Sequence, residues 1–192
     1  MRLAAEDIAR SLRGSWRLMS EGAEALPDLD LSREGFWRSF LALALMAPAT
    51  IALLAATRLF AGLPNTVGLF AAPGLVVSVV GALLLTILVV PAFLILLRPE
   101  LAREARFTSF VIAWNWAGIV SASLMALPAA VFALGWSTPQ LAIAQFAAFG
   151  IVVLRLRYGV ARAAFGGGGV ALLLVSASIV LDYGVVRLFG LA

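Results

Sequence analysis

The sequence predicts an all-α integral membrane protein, with five transmembrane helices preceded by an interfacial amphipathic helix. Of its 192 residues, 63% are hydrophobic and only 12% are charged, whereas soluble domains average about 45–50% apolar and about 25% charged residues. So few charges could not cover a soluble fold with this much apolar surface, so we expect the bilayer to solvate most of the chain. The apolar residues also fall into five long stretches separated by sequences that break helices.

Each predicted transmembrane helix is an apolar stretch close to the roughly 20 residues that cross a bilayer. We expect the spans at about 40–58, 73–97, 107–134, 140–157 and 170–190. Turn-forming sequences separate them: "GLPN" at 62–65, "RPE" at 98–100, "GWSTP" at 135–139 and "GGGG" at 166–169. The fourth stretch is short, so a re-entrant segment with four spans is the alternative. The chain then divides into a polar segment, residues 1–35, and a transmembrane domain, residues 36–192.

The arginines predict how the helices are oriented in the membrane. All 14 basic residues are arginine, which together with abundant alanine and glycine is typical of a GC-rich bacterial genome. If the N-terminus is cytoplasmic, only Arg58 and Arg187 lie outside, and the others lie in the N-terminal segment or in cytoplasmic loops: Arg2, Arg10, Arg13, Arg17, Arg33, Arg38, Arg98, Arg103, Arg106, Arg155, Arg157 and Arg162. Cytoplasmic loops are enriched in arginine and lysine. We therefore expect a bacterial inner-membrane protein with a cytoplasmic N-terminus and a periplasmic C-terminus.

The polar N-terminal segment is predicted to contain an amphipathic helix. Its apolar residues recur at helical spacing and form one face: Ile8, Leu12, Trp16, Met19 and Ala23. Arg10, Arg13 and Arg17 lie on another face. An apolar face with a tryptophan, together with arginines for anionic headgroups, is typical of a helix in the membrane interface. The helix either anchors the first span and packs on the cytoplasmic loops, or offers Arg10, Arg13, Arg17 and Trp16 as a docking face for a partner or for anionic lipid.

An asparagine lies inside the third span, in "FVIAWNWAGIVSA" at 110–122. Asn115 is about 12 Å along this helix, close to the expected midplane, and its amide should face a neighbouring helix rather than lipid. A ridge of small residues surrounds it: Ala113, Ala117, Gly118 and Ser121. Asn115 either makes an interhelical hydrogen bond worth about 0.6–2 kcal/mol or forms part of a substrate path walled by Trp114 and Trp116.

Asp182 is the one acid within the predicted membrane region. A carboxylate inside a membrane is energetically unfavourable, so it is a functional-site hypothesis by default. Arg58 and Arg187 are predicted on the same side of the membrane, and either could pair with it. The alternatives are a structural ion pair and a proton or cation relay. The candidate intramembrane polar site therefore consists of Asn115, Gln145, Asp182, Arg58 and Arg187.

Several classes of chemistry lack the residues they need. The chain has no cysteine and no histidine, which removes disulfides, thiolate metal sites and the usual ligands of haem and zinc. A single membrane acid does not make an intramembrane aspartyl protease, and a rhomboid-type serine site needs a histidine. The glycine run at 166–169 has no lysine for a phosphate loop. The sequence therefore predicts no enzyme, no cofactor, no metal and no nucleic-acid partner.

The sequence resembles known membrane proteins over its whole length, and three short stretches are the local signs of this resemblance: "GSWRLM", "GFWRSF" and "AWNWAGIV". With five spans and a cytoplasmic N-terminal segment, the sequence resembles the Yip1-type membrane proteins and the small uncharacterised inner-membrane proteins of alphaproteobacteria. "PDLDLSREG" at 27–35 is similar to the Asp-Leu-any-Gly-Pro motif of Yip1 proteins. The resemblance implies a membrane scaffold or adaptor without chemistry of its own, and it identifies no ligand.

Two functions follow as the main expectations. The first is a non-catalytic scaffold, adaptor or accessory subunit of a membrane complex, with a membrane-protein partner or a homo-oligomer in the lipid bilayer. The alternative is a small transporter or permease component with a polar path lined by Asn115, Gln145 and Asp182. An enzyme that acts on lipid is a third and weaker alternative.

Overall fold

The computed structural model describes residues 5–62, 73–100 and 104–188, and these form helices with no β-strand among them. The α-helices are α1 (Ala5–Glu21), α2 (Arg33–Ser39), α3 (Ala42–Phe60), α4 (Pro73–Leu97), α5 (Ala105–Ala133), α6 (Pro139–Phe165) and α7 (Gly168–Leu188), and a 3-10 helix, Gly22–Asp28, follows α1. Five segments are long and apolar enough to cross a membrane: Arg33–Phe60, Val77–Leu97, Arg106–Ala133, Pro139–Phe165 and Gly168–Val185. The predicted all-α membrane fold is confirmed. Most of the "GLPN" turn, Arg2, Arg103 and the last residues of the predicted fifth span lie outside the described residues.

The ends of the long helices lie near those of the predicted spans except at the fourth span. The second predicted span coincides with α4, but α6 continues past the expected end at 157 to Phe165. A single glycine, Gly159, does not interrupt the helix, which ends at Gly166. Gly166 takes a left-handed conformation (φ 72°) and donates its N–H to the Arg162 carbonyl. Arg155, Arg157 and Arg162, expected in a loop, therefore lie within α6. The segment is one continuous helix rather than a re-entrant one.

The five long helices form a ring in the order α3, α5, α6, α7 and α4. Neighbours pack closely around most of the ring, and α4 contacts α7 more extensively than it contacts α3 or α5. The N-terminal half of α5 is buried on every side from Phe110 to Ala117, because α1 and α2 pack against it in addition to its ring neighbours. The core is thus thickest at the end where α5 begins and α6 ends.

Helix α1 lies on α5 and α6, and only part of the predicted apolar face, Ile8, Leu12 and Met19, packs against the core. Its buried residues are Ser11, Gly14, Ser15 and Leu18. Ile8, Leu12 and Met19 are half-buried, Ala23 is exposed, and Trp16 is 44% exposed. Small residues on the buried face allow the backbones to approach, and a Cβ on Gly159 of α6 would lie 2.7 Å from the Leu18 carbonyl oxygen.

Candidate functional site

A cavity of about 260 Å³ lies between the five long helices, and each of them contributes to its wall. Most of the lining is apolar, as in Leu54 of α3, Ile87 of α4 and Val153 of α6. Part of the predicted small-residue ridge, Ala117, Gly118 and Ser121, faces this space. A Cβ on Gly118 would find only the Met46 sulfur within 4 Å, at 3.8 Å. The cavity exists because the side chains that face it are too small to fill the space between the helices.

An ion pair between α6 and α7 is the charged part of the wall. Arg157 Nη1 lies 2.6 Å from Asp182 Oδ2 and 2.9 Å from Ser178 Oγ, to which it donates. The guanidinium carbon of Arg157 is 5.5 Å from the centre of the Trp114 ring, within the range of a cation–π interaction. The side chains of Arg157 and Asp182 remain 19% and 28% exposed and both line the cavity. They are therefore accessible to a molecule that occupies it.

The predicted partners of Asp182 were wrong. Arg187 instead donates its Nε–H to the Tyr183 hydroxyl at 3.0 Å, and Arg58 Nε is buried without a hydrogen-bond partner among the described residues. Arg157 takes their place because α6 and α7 form an antiparallel pair joined at Gly166 and Gly167. Ser178 lies nearly level with Arg157 on this pair, and the long Arg157 side chain reaches past it to Asp182, about one helical turn further along α7. Sequence reasoning missed Arg157 because the fourth span was expected to end there.

Asn115 joins α5 to the start of the first span. Its Nδ2 donates to Ser39 Oγ at 2.9 Å, and the Ser39 hydroxyl donates to the Phe36 carbonyl at 2.7 Å. Both side chains are fully buried. Asn115 is thus level with the end of α2, and its amide faces a neighbouring helix, as predicted. It also lines one end of the cavity.

Gln145 does not join the other two residues of the predicted polar path. It lies in the first half of α6, the half that begins at the Thr138 cap, whereas Arg157 lies in the second half. The described residues that line the cavity do not include it. Its Oε1 is buried and has no hydrogen-bond partner within the described chain. The structure therefore brings Asn115 and Asp182 to one cavity, adds Arg157, and leaves Gln145 apart.

The predicted docking face of α1 is largely neutralised by its own carboxylates. Arg10 lies 2.6 Å from Asp7, and Arg17 lies 2.5 Å from both Glu21 and Asp28. The hydrogen bond from Arg17 is the main reason that the pKa of Glu21 lies below its ordinary value. Among the described residues, Arg13 donates a hydrogen bond only to the Ala9 carbonyl of its own helix. The exposed surface of α1 therefore offers Trp16 and Arg13 rather than three free arginines.

The described residues contain no group of three or more carboxylates that could hold a metal ion. What the cavity offers is a mostly apolar wall, an aromatic ring, and one neutralised pair of charges with hydrogen-bonding capacity left over. Such an arrangement suits reversible binding of a small molecule. Comparison with known proteins assigns no relative, because no protein-family model, no curated protein and no solved structure matches this chain.

Proposed function

We propose that the protein binds a small, mostly apolar molecule inside its helix ring and moves it within or across the bilayer, as a small transporter or permease component. The cavity of about 260 Å³, to which all five long helices contribute, is the observation that carries this proposal. An apolar cavity of about 150 Å³ is sufficient to bind benzene, and small-molecule sites commonly range over about 300–1,000 Å³. The site therefore suits a ligand of one or two rings or a short chain.

The packing around the ring supports a lateral route into the cavity. Helix α4 contacts α3 less than α3 contacts α5 or α6 contacts α7. Among the described residues, the seam between α3 and α4 is therefore the least closely packed part of the wall. A lipophilic molecule dissolved in the bilayer would enter there without crossing a closely packed pair of helices. Pro91 lies inside α4 and removes one helical hydrogen bond, which favours bending of that helix.

A scaffold, adaptor or accessory subunit of a membrane complex is the second candidate. The exposed side of α1, with Trp16 44% exposed and Arg13 beside it, favours this function. Tryptophan and arginine are enriched where proteins bind each other. In either case we propose the bacterial inner membrane with a cytoplasmic N-terminus, on the distribution of arginines.

The cavity is tested by filling it. Wild-type protein extracted directly into polymer nanodiscs should carry a small molecule that mass spectrometry detects after denaturation. Gly118→Leu places a large side chain into the cavity, next to Met46, and should reduce the amount retained by about tenfold or more, equivalent to about 1.4 kcal/mol of binding free energy. Gly150→Leu is the matched control, because an added Cβ at that position of α6 meets open space and Gly150 is not among the described lining residues.

The same preparation separates the two candidate functions. Retention of the molecule in Gly118→Leu at the wild-type level, or its absence from wild-type protein, would contradict the binding proposal. A stoichiometric protein partner that is lost on Trp16→Ala, with no small molecule in the cavity, would favour the scaffold instead.

A further inference from the structure

We infer that the cavity selects an uncharged molecule whose polar group both accepts and donates hydrogen bonds, such as a carboxamide, and that the Arg157–Asp182 pair recognises this group. The inference rests on the proposed function, since it assumes that the cavity holds a ligand. It adds the chemical class of that ligand and the two residues that determine it.

The first step is the charge of the wall. Among the described residues that line the cavity, only Arg157 and Asp182 are ionisable, and their charges cancel across 2.6 Å. The remaining polar lining is neutral and consists of Thr50, Thr57, Thr86, Asn115 and Ser121. In a medium of low dielectric constant, an ion without a counter-charge is strongly disfavoured. A monovalent anion or cation would bring such a charge into the cavity, whereas a neutral molecule would not.

The second step is the hydrogen-bonding capacity that remains. Within the described residues, the hydrogen bonds of Arg157 use only Nη1, and those of Asp182 use only Oδ2. A guanidinium has five N–H donors and a carboxylate has two acceptor oxygens. Thr50 and Thr57 donate to carbonyls of their own helix, at 3.0 Å and 2.9 Å. The ion pair therefore presents free donors and a free acceptor side by side.

The third step is the match to a ligand. A carboxamide carries one acceptor oxygen and N–H donors on the same carbon, so it can accept from Arg157 and donate to Asp182 together. The Trp114 ring, which lies against the Arg157 guanidinium at 5.5 Å and also lines the cavity, offers an apolar surface for the rest of the molecule. A pair that only joined α6 to α7 would not determine the charge of a bound molecule, which makes charge preference the decisive measurement.

Three probes of one shape test the inference: benzamide, benzoate and benzamidinium, with charges of 0, −1 and +1 at neutral pH. Binding to the full-length protein in nanodiscs is measured by saturation-transfer NMR, with Gly118→Leu protein to subtract binding outside the cavity. We expect wild-type protein to bind benzamide about tenfold more tightly than either ion. Arg155→Gln is the control, since Arg155 is exposed on the same helix and is not among the described lining residues.

Charge variants then change the preference in a stated direction. Asp182→Asn leaves Arg157 unpaired and should make benzoate the preferred probe, while Arg157→Gln should favour benzamidinium. The double variant Arg157→Gln/Asp182→Asn restores a neutral wall and should return the preference to benzamide, which keeps the test decisive if a single variant does not fold.

The outcomes distinguish this inference from the proposal beneath it. A wild-type preference for an ion, or a preference that the charge variants leave unchanged, would overturn the inference while cavity binding stands. If no probe binds in the cavity, the inference is contradicted. The proposed function is contradicted as well only if wild-type protein also retains no molecule from the cell.

Discussion

At the scale of single residues, Ser39 determines the orientation of the Asn115 amide. The Ser39 hydroxyl donates its hydrogen to the Phe36 carbonyl, so it can only accept from Asn115. That requirement turns Nδ2 toward Ser39 and leaves Oδ1 buried without a partner among the described residues. The bond joins α5 to α2 at the point where the chain enters the first span. Its expected function is to hold the beginning of that span against the core.

This bond can be measured with a double-mutant cycle. Ser39→Ala leaves a buried N–H of Asn115 unpaired, so we expect it to destabilise the protein by about 1–2 kcal/mol. Asn115→Leu removes the amide at similar volume. Because both changes remove the same bond, the double variant should lose less than the sum of the single losses, by about 0.5–1.5 kcal/mol.

Reversible unfolding in mixed micelles of mild detergent and dodecyl sulfate gives the free energies of unfolding for this cycle. Ser123→Ala is the control, since Ser123 is exposed on the same helix, and it should change the free energy by no more than about 0.5 kcal/mol. Additive losses from Ser39→Ala and Asn115→Leu would show that the two side chains do not stabilise each other.

Asp182 and Arg157 show what sequence can and cannot predict at this scale. Asp182 was predictable as a candidate site because an acid within an apolar stretch is rare and energetically unfavourable. Its partner was not, since pairing depends on how α6 and α7 align, and that alignment depends on where α6 ends. The absence of a proline or a run of glycines between 154 and 165, where Gly159 stands alone, was the signal that would have placed Arg157 inside the helix.

At the scale of helices, periodicity predicted that α1 exists but not which side it buries. Its apolar residues span a broad arc, and the arc alone favours Ile8, Leu12 and Trp16 as the contact. The structure buries Ser11, Gly14, Ser15 and Leu18 most deeply, packs Ile8 and Leu12 beside them against the core and leaves Trp16 exposed. Small residues contribute little to a hydrophobic pattern, yet they decide how closely two backbones pack. The contact face of α1 therefore cannot be predicted from α1 alone. It also depends on the surface of the partner helix, here at Gly159 of α6.

The close approach of α1 and α6 leads to a prediction for Gly159→Ala. An added Cβ would lie 2.7 Å from the Leu18 carbonyl oxygen and 3.1 Å from the Met19 Cα. Because both atoms belong to the backbone, α1 must move away, and we expect its docking to weaken by about 1–3 kcal/mol. Hydrogen exchange of the α1 amides, followed by mass spectrometry, should then be faster in the variant than in wild-type protein.

Gly150→Ala is the matched control for this change on the same helix. Nothing lies within 4 Å of a Cβ at that position, so α1 exchange should be unaffected, and the substitution should stabilise α6 by up to about 1 kcal/mol through its helix propensity. Equal α1 protection in Gly159→Ala and Gly150→Ala would mean that this contact does not hold α1 in place.

At the scale of the whole molecule, the ring of helices and its cavity were beyond what the sequence could predict. Helix α4 is apolar on all sides, so nothing in its pattern indicates that Leu83 and Ile87 face a cavity while Leu84 and Leu88 face outward. The number of spans was predictable because length and hydropathy are properties of one segment. The cavity is a property of five segments together, and the contribution of a small residue such as Gly118 becomes visible only when they are assembled.

The orientation of this ring in the membrane is the last prediction. The arginines at the ends of α4 and α6 and in the N-terminal helices favour a cytoplasmic location for those ends. Since the chain has no cysteine, a single introduced cysteine is the one thiol that a membrane-impermeant maleimide can label. We choose Ser20→Cys on α1 and Gln140→Cys at the start of α6, because both positions are exposed.

In intact cells of a bacterial host, Gln140→Cys should be labelled through the porous outer membrane, while Ser20→Cys should be labelled only after the inner membrane is permeabilised. Labelling of both positions in denatured protein provides the control for reactivity. The reverse labelling pattern would mean that the ring has the opposite orientation in the membrane, with α1 in the periplasm. Arg13 and Trp16 would then face the periplasm and could not bind a cytoplasmic partner, whereas the cavity and its ion pair would keep their proposed function in either orientation.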